Sequence, residues 1–282
     1  MADRYLRPDI LEDALAALAG GDLVRAAGCT DLLAATERKS LPGDLLDLTG
    51  IASLRGIVRT ADGLRIGGGT TWTDIIRADL PPAFDGLKLA AREVGSIQIQ
   101  NRGTIAGNLC NASPAADGVP PLLTLDASVE LASHRGTRRL PLAAFITGPR
   151  QIALAADEVL TAVLIPDSAI RGASNFLKLG ARKYLVISIA MTAARIVIEG
   201  GVVTEASLAI GACGPVAIRA TLAENALIGA PPDARRITDA MVASALSPID
   251  DIRATASYRR DSAAELLRRT VAGAVTAEKA AA

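Results

Sequence analysis

The sequence is poor in aromatic residues and in histidine. One tryptophan, three tyrosines and three phenylalanines make up only 2% of its 282 residues, and His134 is its one histidine. So few aromatic rings leave no stacking platform for single-stranded nucleic acid. A lone histidine in a predicted hairpin turn, Ser133–Gly136, argues against a histidine-based catalytic triad and against a zinc site. Any chemistry is therefore expected to come from a bound cofactor.

The chain also lacks an excess of charge of one sign and a long apolar run. Thirty basic residues balance thirty acidic ones, so no electrostatic footprint for nucleic acid or an anionic membrane is present. No apolar run reaches the roughly 20 residues that span a bilayer. The first residues do not have the apolar segment of a signal peptide. These observations predict a cytoplasmic protein without a membrane span.

Cysteine is scarce as well. Cys29, Cys110 and Cys213 are scattered along the chain, which is typical of a reducing compartment. Three cysteines at these spacings cannot hold an iron–sulfur cluster, which takes four protein ligands. If the chain works with such a cluster, a partner must carry it.

Two common nucleotide motifs are missing. The sequence has no Gly-Lys pair, which excludes a P-loop. Gly67-Gly68-Gly69 follows a predicted strand, but Trp72 stands where a Rossmann fingerprint requires its third glycine. We interpret these glycines as a tight turn.

What the sequence does contain is two stretches of small residues. Gly28-Cys29-Thr30 follows a predicted strand, 23–27, and precedes a helix predicted from Asp31. The second stretch, Asn101–Asp117, is rich in glycine, hydroxyls and amides. Small residues let backbone N–H groups approach an anion closely, and a helix N-terminus adds its dipole. We interpret the two stretches as a pyrophosphate cradle, with Asp117 placed for a ribose hydroxyl.

A change of composition after Pro166 predicts two domains. The first covers 1–168, with subdomains at about 1–58 and 59–168, and Thr71 is expected to cap a helix there. The second covers 172–275. Its predicted elements are a hairpin formed by 186–199 and 202–210, a helix over 235–246, and a helix from Ser262 that opens with a Ser262–Glu265 capping box. The alanine-rich tail after Val275 is expected to fray.

Essentially the whole chain, about 5–271, resembles the FAD-binding medium subunits of the molybdenum hydroxylases. This is the family of the xanthine, carbon monoxide and nicotinate dehydrogenases. Several separate motifs in the same order carry the resemblance: Arg25–Leu32, Thr104–Asn108, Ser113–Asp117, Glu158–Pro166, Phe176–Lys178 with Arg182, and Ser247–Arg259. The resemblance implies an α+β fold. A two-subdomain FAD-binding domain of the PCMH type, similar to vanillyl-alcohol oxidase, precedes a smaller α+β domain with a three-stranded antiparallel sheet and helices.

The resemblance also implies which residues bind the cofactor. They are Arg25, Ala26, Ala27, Gly28, Cys29, Thr30, Asp31, Leu32, Val94, Thr104, Ile105, Ala106, Gly107, Asn108, Ser113, Asp117, Leu160 and Lys178. Ile187 is expected beside the isoalloxazine, and no residue is expected to act as a catalytic acid or base or to bind a metal.

Two residues depart from the family pattern. Cys29 replaces the second glycine of the first loop, and Ala106 replaces a glycine of the second. A positive φ at position 29 would strain a non-glycine residue by about 1 kcal/mol or more. Cys29 is either an inert small residue or, beside a helix N-terminus, a reactive thiol.

The function implied by the resemblance is that of a flavin electron-transfer subunit in a heterotrimeric enzyme. FAD on this chain would receive electrons from [2Fe–2S] clusters on a small partner subunit, while a large partner subunit carries the molybdopterin cofactor. An external acceptor would take the electrons, and a dimer of heterotrimers is the implied assembly. One alternative is a self-contained FAD-dependent oxidase or reductase of the same fold. Another is a scaffold that has lost FAD, which only the departures at Cys29 and Ala106 suggest.

Overall fold

The computed structural model describes residues 4–34 and 43–281. Its strands are β1 (Tyr5–Leu6), β2 (Val24–Ala26), β3 (Leu45–Asp47), β4 (Ile57–Thr60), β5 (Gly63–Gly67), β6 (Ser128–Ser133), β7 (Gly136–Pro141), β8 (Ile146–Gly148), β9 (Gln151–Ile152), β10 (Val159–Pro166), β11 (Ala173–Leu179), β12 (Ala190–Glu199), β13 (Val202–Gly211) and β14 (Ile218–Arg219). Its α-helices are α1 (Leu11–Ala19), α2 (Trp72–Arg77), α3 (Asp85–Glu93), α4 (Ile97–Arg102), α5 (Ile105–Asn111), α6 (Val119–Thr124), α7 (Leu142–Phe145), α8 (Thr221–Leu227), α9 (Asp239–Ala243) and α10 (Ala256–Ala281).

A small parallel sheet forms the first layer, with β3 between β1 and β2. Helix α1 covers it, because Ala14, Leu15 and Leu18 repeat at helical spacing and are buried on one face. Leu46 of β3 is completely buried in the same cluster. The chain leaves β2 directly into the loop that begins at Ala27, so this sheet holds the start of the first small-residue stretch.

The larger sheet is antiparallel, in the order β4-β5-β10-β6-β7. The short helices that follow β5 pack against one of its faces, where Trp72, Phe84 and Leu122 are buried. This sheet and its helices form the main apolar core of the chain. The second small-residue stretch belongs to those helices, so the two stretches are supported by different sheets.

A bulge interrupts β10 where it pairs with β6. Leu160 lies opposite Leu131, but Ala162 lies opposite Glu130, so one residue of β10 has no partner in the register. A bulge bends its strand and redirects the neighbouring side chains. Leu160 is the residue that the bulge places beside the cleft described below.

The C-terminal sheet has the order β11-β12-β13-β14 and is antiparallel throughout. Alternate residues of a strand face opposite sides. Met191 and Ala193 of β12 pack with Ala90 of α3, whereas Ala194 and Ile196 pack in the cluster that contains the apolar face of α10. Both faces of this sheet are therefore buried, one by the N-terminal part of the chain and the other by α10.

A buried arginine ties the C-terminal sheet to α6. Arg195 of β12 is 3% exposed, and its Nε donates to the Thr124 carbonyl at 2.9 Å. The same guanidinium pairs with Glu205 at 3.0 Å and with Asp126 at 3.6 Å. A cation at the C-terminal end of a helix is favourable because the last carbonyls have no partner within the helix.

Several expectations for the secondary structure are met. The helix cap predicted at Thr71 is confirmed. It is a full capping box, since the Thr71 side chain accepts from the Asp74 N–H and the Asp74 side chain accepts from the Thr71 N–H. His134 lies exposed in the turn between β6 and β7, as predicted. The expected three-stranded sheet of the C-terminal part carries one further strand, the two-residue β14 at its edge.

The prediction of a helix from Asp31 is wrong for the residues that are described there. Residues 31–34 form turns, and the Leu33 N–H donates to the Cys29 carbonyl at 3.1 Å. Cys29, two residues before the predicted start, has φ 58°, a left-handed conformation through which a right-handed helix cannot extend back. The predicted helix continues into residues 35 and 36, which lie outside the described residues.

The C-terminal helices also differ from the prediction. The helix expected over 235–246 is a short 3-10 turn, Ala234–Arg236, followed by α9. The last helix begins at Ala256 instead of Ser262, because the Thr255 hydroxyl accepts from the Tyr258 N–H at 3.2 Å and caps it. The expected fraying after Val275 is also wrong, since α10 continues to Ala281; alanine has the highest helix propensity.

Candidate functional site

A cleft of about 1030 Å³ lies between the small parallel sheet and the helices on the larger sheet. The residues that line it include fourteen of the sequence-predicted cofactor contacts: Arg25, Ala26, Ala27, Gly28, Cys29, Thr30, Asp31, Leu32, Val94, Thr104, Ala106, Gly107, Asn108 and Leu160. The two small-residue stretches therefore meet at one site. The separation of these stretches in the sequence, by more than 70 residues, is bridged by the fold.

The first loop offers free hydrogen-bond donors to this cleft. Within residues 4–34 and 43–281, none of the backbone N–H groups from Gly28 to Leu32 donates to a protein carbonyl or side chain. Cys29 has φ 58°, which turns the chain sharply at this point. Successive N–H groups around such a turn make a concave site for an anion. The loop therefore has the geometry of an anion cradle, with a non-glycine residue in a position that favours glycine.

Gly28 brings the two loops into direct contact. A Cβ atom on Gly28 would lie 2.0 Å from the Arg102 carbonyl oxygen and 2.9 Å from the Gly103 Cα. No side chain fits in that space. Glycine at position 28 is therefore required by the close approach of the two loops to each other, whereas the sequence had suggested close approach to an anion.

The second loop is built differently from the expectation. It forms α5, and the Thr104 hydroxyl caps this helix by accepting from the Gly107 N–H at 3.1 Å. The Ile105 N–H donates to the Thr70 carbonyl at 3.0 Å, and the Ala106 N–H donates to the Gly68 carbonyl at 3.1 Å. Since the first N–H groups of α5 already have acceptors, this loop cannot cradle an anion with them. The interpretation of the second stretch as backbone cradle is corrected accordingly.

Asn108 is one of the polar residues that α5 contributes to the cleft lining. Its Oδ1 is buried and has no hydrogen-bond partner among the described residues, although the residue lines the cleft. A buried acceptor without a donor is unfavourable by about 1–3 kcal/mol. A ligand that donates a hydrogen bond at this point would remove that cost.

Ala106 does not strain the second loop. It lies inside α5, and it is absent from the described non-glycine residues that have positive φ. Of the two departures from the family pattern, only the one at Cys29 carries a backbone cost.

Cationic side chains surround the loops. The Arg25 guanidinium lines the cleft and donates to the Glu158 carbonyl at 2.8 Å and to the Ala155 carbonyl at 3.1 Å; burial lowers its pKa. An adjoining cavity of about 270 Å³ shares Gly28 with the cleft and is lined by Arg55 and Arg102. Positive charge on both sides of the loop favours an anionic ligand.

The thiols near the cleft are not activated. Burial raises the pKa of Cys29, and burial raises the pKa of Cys110 to about 12. The thiolate is the nucleophilic form of cysteine. A raised pKa disfavours the reactive-thiol alternative and favours Cys29 as an inert small side chain.

Four other predicted contacts do not line the cleft. Asp117 Oδ2 accepts from Lys178 Nζ at 2.7 Å, and Asp117 Oδ1 accepts from Ser188 Oγ at 2.7 Å. Because both carboxylate oxygens are taken, this arrangement differs from the expected contact of Asp117 with a ribose hydroxyl. Ile105 is completely buried in the apolar core. Ser113 closes a turn by accepting from the Ala115 N–H at 3.3 Å.

Asp117 and Lys178 nevertheless lie close to the cleft wall. Burial raises the pKa of Asp117, and the ammonium of Lys178 opposes that shift. Lys178 Nζ lies 3.5 Å from the Glu93 carbonyl, and the next residue, Val94, lines the cleft. The ion pair therefore supports the wall at Val94 from behind. Ile187, predicted beside the isoalloxazine, is 57% exposed and is not part of the cleft wall.

Several lining residues were missed by the sequence analysis. Trp72, Ile99, Cys110, Asn111, Arg150, Ile152 and Leu154 also line the cleft. Trp72 had a signal, since it is the one tryptophan of the chain and stands directly after a glycine turn. Arg150 is oriented by donating to the Asn111 carbonyl at 3.0 Å, and no local pattern connects two residues so far apart.

The described part of the chain contains neither a metal-binding cluster nor a helix that could span a membrane. Its histidine, cysteine and acidic residues form no group that could hold a metal ion. None of its helices combines the length and the apolar character that a bilayer span requires.

Two family models of known proteins match the sequence, one in its N-terminal part and one in its C-terminal part. A family model described as the FAD binding domain in molybdopterin dehydrogenase matches residues 1–168. The CO dehydrogenase flavoprotein C-terminal domain matches residues 175–274. The chain belongs to this flavoprotein family. The resemblance and the fold class inferred from the motifs are thereby confirmed.

Individual relatives cover between about three quarters and nearly all of the flavoprotein. It is 32% identical to the putative xanthine dehydrogenase FAD-binding subunit of Escherichia coli strain K12, over 97% of this chain and 96% of that protein. It is 38% identical to the nicotinate dehydrogenase FAD-subunit of Eubacterium barkeri, over 73% of this chain and 71% of that one. A chain of carbon monoxide dehydrogenase from Hydrogenophaga pseudoflava superimposes with a TM-score of 0.89 at 27% identity, covering 97% of each chain.

Proposed function

We propose that this flavoprotein binds FAD in the cleft and serves as the electron-transfer subunit of a molybdopterin-dependent oxidoreductase. The observation that carries the proposal is the first loop, where Gly28–Leu32 line the cleft and their N–H groups have no acceptor among the described residues. The pyrophosphate of FAD is a dianion that such donors fit. The relatives named above are FAD subunits of dehydrogenases.

The lining residues divide into groups that suit the parts of a dinucleotide. Gly28–Leu32 would bind the pyrophosphate, and the free Oδ1 of Asn108 would accept a hydrogen bond from a hydroxyl or N–H of the ligand. Apolar side chains suit the flat ring systems: Trp72, Val94, Ile99, Ile152, Leu154 and Leu160. Arg25 holds the 155–158 turn against the loop and places positive charge beside the phosphates. Ser113, Asp117 and Lys178 would act behind the wall of the cleft.

When bound, FAD supplies the ability to accept electrons one at a time and to release them in pairs. The chain's own residues hold the cofactor, shield it from water and leave one side accessible. The exposed loop that carries Ile187 lies next to the Asp117–Lys178 pair through Ser188, and we place the accessible end of the cofactor there. No residue acts as a general acid or base in this proposal.

The proposal includes partner subunits. The relatives from carbon monoxide dehydrogenase and glyceraldehyde dehydrogenase are both named as medium chains. This name points to a smaller and a larger partner subunit. We propose that the small partner carries the [2Fe–2S] clusters and the large partner the molybdopterin cofactor, in a dimer of heterotrimers that reduces an external acceptor. All three cysteines are free, in keeping with a reducing compartment, and we place the complex in the cytoplasm.

The test is to purify the full-length chain alone and together with partner subunits encoded beside it. We expect a yellow protein whose flavin is released by acid as FAD and that comigrates with iron–sulfur and molybdopterin subunits. A lone chain that reduces or oxidises a substrate unaided would instead establish a self-contained flavoenzyme. Absence of flavin from both preparations would refute the cofactor assignment.

A further inference from the structure

Arg259, in the first turn of α10, joins three separate segments of the chain. It is 3% exposed. Its Nη1 donates to the Ile189 carbonyl at 2.6 Å and to the Ala212 carbonyl at 3.0 Å, and its Nη2 donates to Asp251 Oδ1 at 2.7 Å. Its Nε is buried without a partner among the described residues. A guanidinium buried at this cost is held in one orientation by several carbonyls at once.

Of the two carbonyls that Arg259 binds, one belongs to a residue that contacts the Ser113–Asp117 segment and the other to the neighbour of such a residue. Ile189 directly follows Ser188, whose hydroxyl donates to Asp117 at 2.7 Å. The Ala212 N–H donates to the Pro114 carbonyl at 3.0 Å. Arg259 therefore fixes two contacts that lie three residues apart on one segment of the N-terminal part.

The connection continues to the cleft. Asp117 pairs with Lys178 at 2.7 Å, and both side chains are less than one-tenth exposed. Lys178 Nζ lies 3.5 Å from the Glu93 carbonyl, directly before Val94 of the cleft wall. A shift of Ile189 or Ala212 would thus be transmitted to a buried ion pair behind the wall.

A neighbouring arginine, Arg253, provides a comparison that distinguishes a link to the Asp117 segment from simple support of α10. Arg253 also pairs with Asp251, at 2.8 Å, but its side chain is 37% exposed. Its side-chain hydrogen bond goes to Asp251 and to neither the Ile189 nor the Ala212 carbonyl. The two arginines share one carboxylate and differ in their contact with the Asp117 segment.

We propose that Arg259 is a positioning residue for the flavin site. It sets the place of the Asp117–Lys178 pair, and through that pair the wall at Val94, although no atom of Arg259 lines the cleft. The inference rests on the proposed function, because the effect on a flavin requires that FAD occupies the cleft. It concerns a part of the chain, the start of α10, that is remote from the cofactor loops in sequence.

The test compares Arg259→Met and Arg259→Lys with the control Arg253→Met in the full-length chain. The dissociation constant for FAD, the visible spectrum and the midpoint potential of the bound flavin are measured, together with amide hydrogen exchange at residues 113–117 and 187–189. For Arg259→Met we expect the dissociation constant for FAD to rise by about tenfold or more. This is the size of effect that follows when a hydrogen bond from a charged group is lost, here the bonds from Arg259 that hold the Asp117 segment in place. A shifted spectrum or potential and faster exchange in both segments should accompany it. Arg259→Lys should lie between this variant and the wild type, and Arg253→Met should match the wild type.

Equal FAD affinity, potential and exchange in Arg259→Met and Arg253→Met would overturn the inference. If Arg259→Met does not fold, Ser188→Ala removes the link to Asp117 without altering α10, and an unchanged flavin potential and unchanged exchange at 113–117 in that variant would refute the inference equally. A wild-type chain that binds no FAD would refute the proposed function. Hydrogen exchange would still decide whether Arg259 holds the Asp117 segment.

Discussion

The two loops of the cleft are alike in composition and differ in what they do. In the first, the N–H groups of Gly28–Leu32 have no acceptors among the described residues, and Cys29 is held in a left-handed conformation. In the second, the backbone of α5 is satisfied by Thr70, Gly68 and Thr104. A small-residue stretch can therefore present donors to a ligand or can pack closely so that another loop presents them. Only the pattern of hydrogen bonds distinguishes the two roles.

The largest effect is expected where the two loops touch. Gly28→Ala would place a Cβ 2.0 Å from the Arg102 carbonyl, so the loops must separate. Overpacking of this kind is destabilising by about 1–3 kcal/mol, and we expect FAD to be lost on gel filtration. Thermal unfolding and the ratio of flavin to protein measure both effects. Gly20→Ala is the control, because a Cβ there would lie at an ordinary distance of 3.5 Å from its nearest neighbour, the Ala17 carbonyl oxygen. Equal stability and equal FAD retention in the two variants would contradict the close approach of Gly28 to Arg102.

Asn108→Leu should change ligand binding and stability in opposite directions. The substitution removes the unpartnered Oδ1, so the FAD-free protein should gain stability, by about 1 kcal/mol. FAD should bind about tenfold more weakly, since one hydrogen bond is lost. Denaturant unfolding and fluorescence titration test this pair of effects.

A matched control lies one turn further along α5. The Asn111 amide oxygen already has a partner in Arg150, so Asn111→Leu should lose stability where Asn108→Leu gains it. The same sign for both substitutions would show that the Asn108 oxygen is not kept free for a ligand.

A smaller effect, on stability alone, is expected at the cap of α5. Thr104→Ala removes the acceptor of the Gly107 N–H, and loss of an N-cap costs about 1 kcal/mol. FAD affinity should remain close to that of the wild type, because the donors to the ligand lie in the other loop. Thr104→Ser keeps the oxygen and should restore stability. A loss of FAD affinity larger than the loss of stability would assign this loop a direct role in binding.

The smallest expected effect is a gain at Cys29. Glycine has no steric penalty at φ 58°, so Cys29→Gly should relieve about 1 kcal/mol of strain, partly offset by the greater freedom of glycine in the unfolded chain. Denaturant midpoints measure the difference. Cys29→Ala loses the thiol but keeps the strain, and it should show no gain; a gain there would assign the effect to the thiol.

The sequence located the site better than it described its construction. Twelve of the fourteen predicted contacts that line the cleft belong to two motifs that are local and unusual in composition. Asp117 and Lys178 were assigned to the cofactor, but they lie 61 positions apart in the sequence, and this distance conceals that they pair with each other. Ile152, in a short strand, and Leu154, just beyond it, follow no motif, because a single apolar residue has the same sequence pattern in a core as in a cofactor wall. Hydrophobic periodicity could not reveal these contacts, because they depend on how two sheets face each other.

The two buried faces of the C-terminal sheet bear on how this protein unfolds and how it can be divided. Met191 and Ala193 pack against α3 on one side, while Ala194 and Ile196 pack in the α10 cluster on the other. A fragment that contains only the C-terminal part would expose the first of these faces to water, and a fragment that lacks it would uncover α3 and α6. The two segments that match different family models, 1–168 and 175–274, should consequently unfold together, in a single calorimetric transition. Recombining the N-terminal part of one such flavoprotein with the C-terminal part of another requires that this internal surface be matched first.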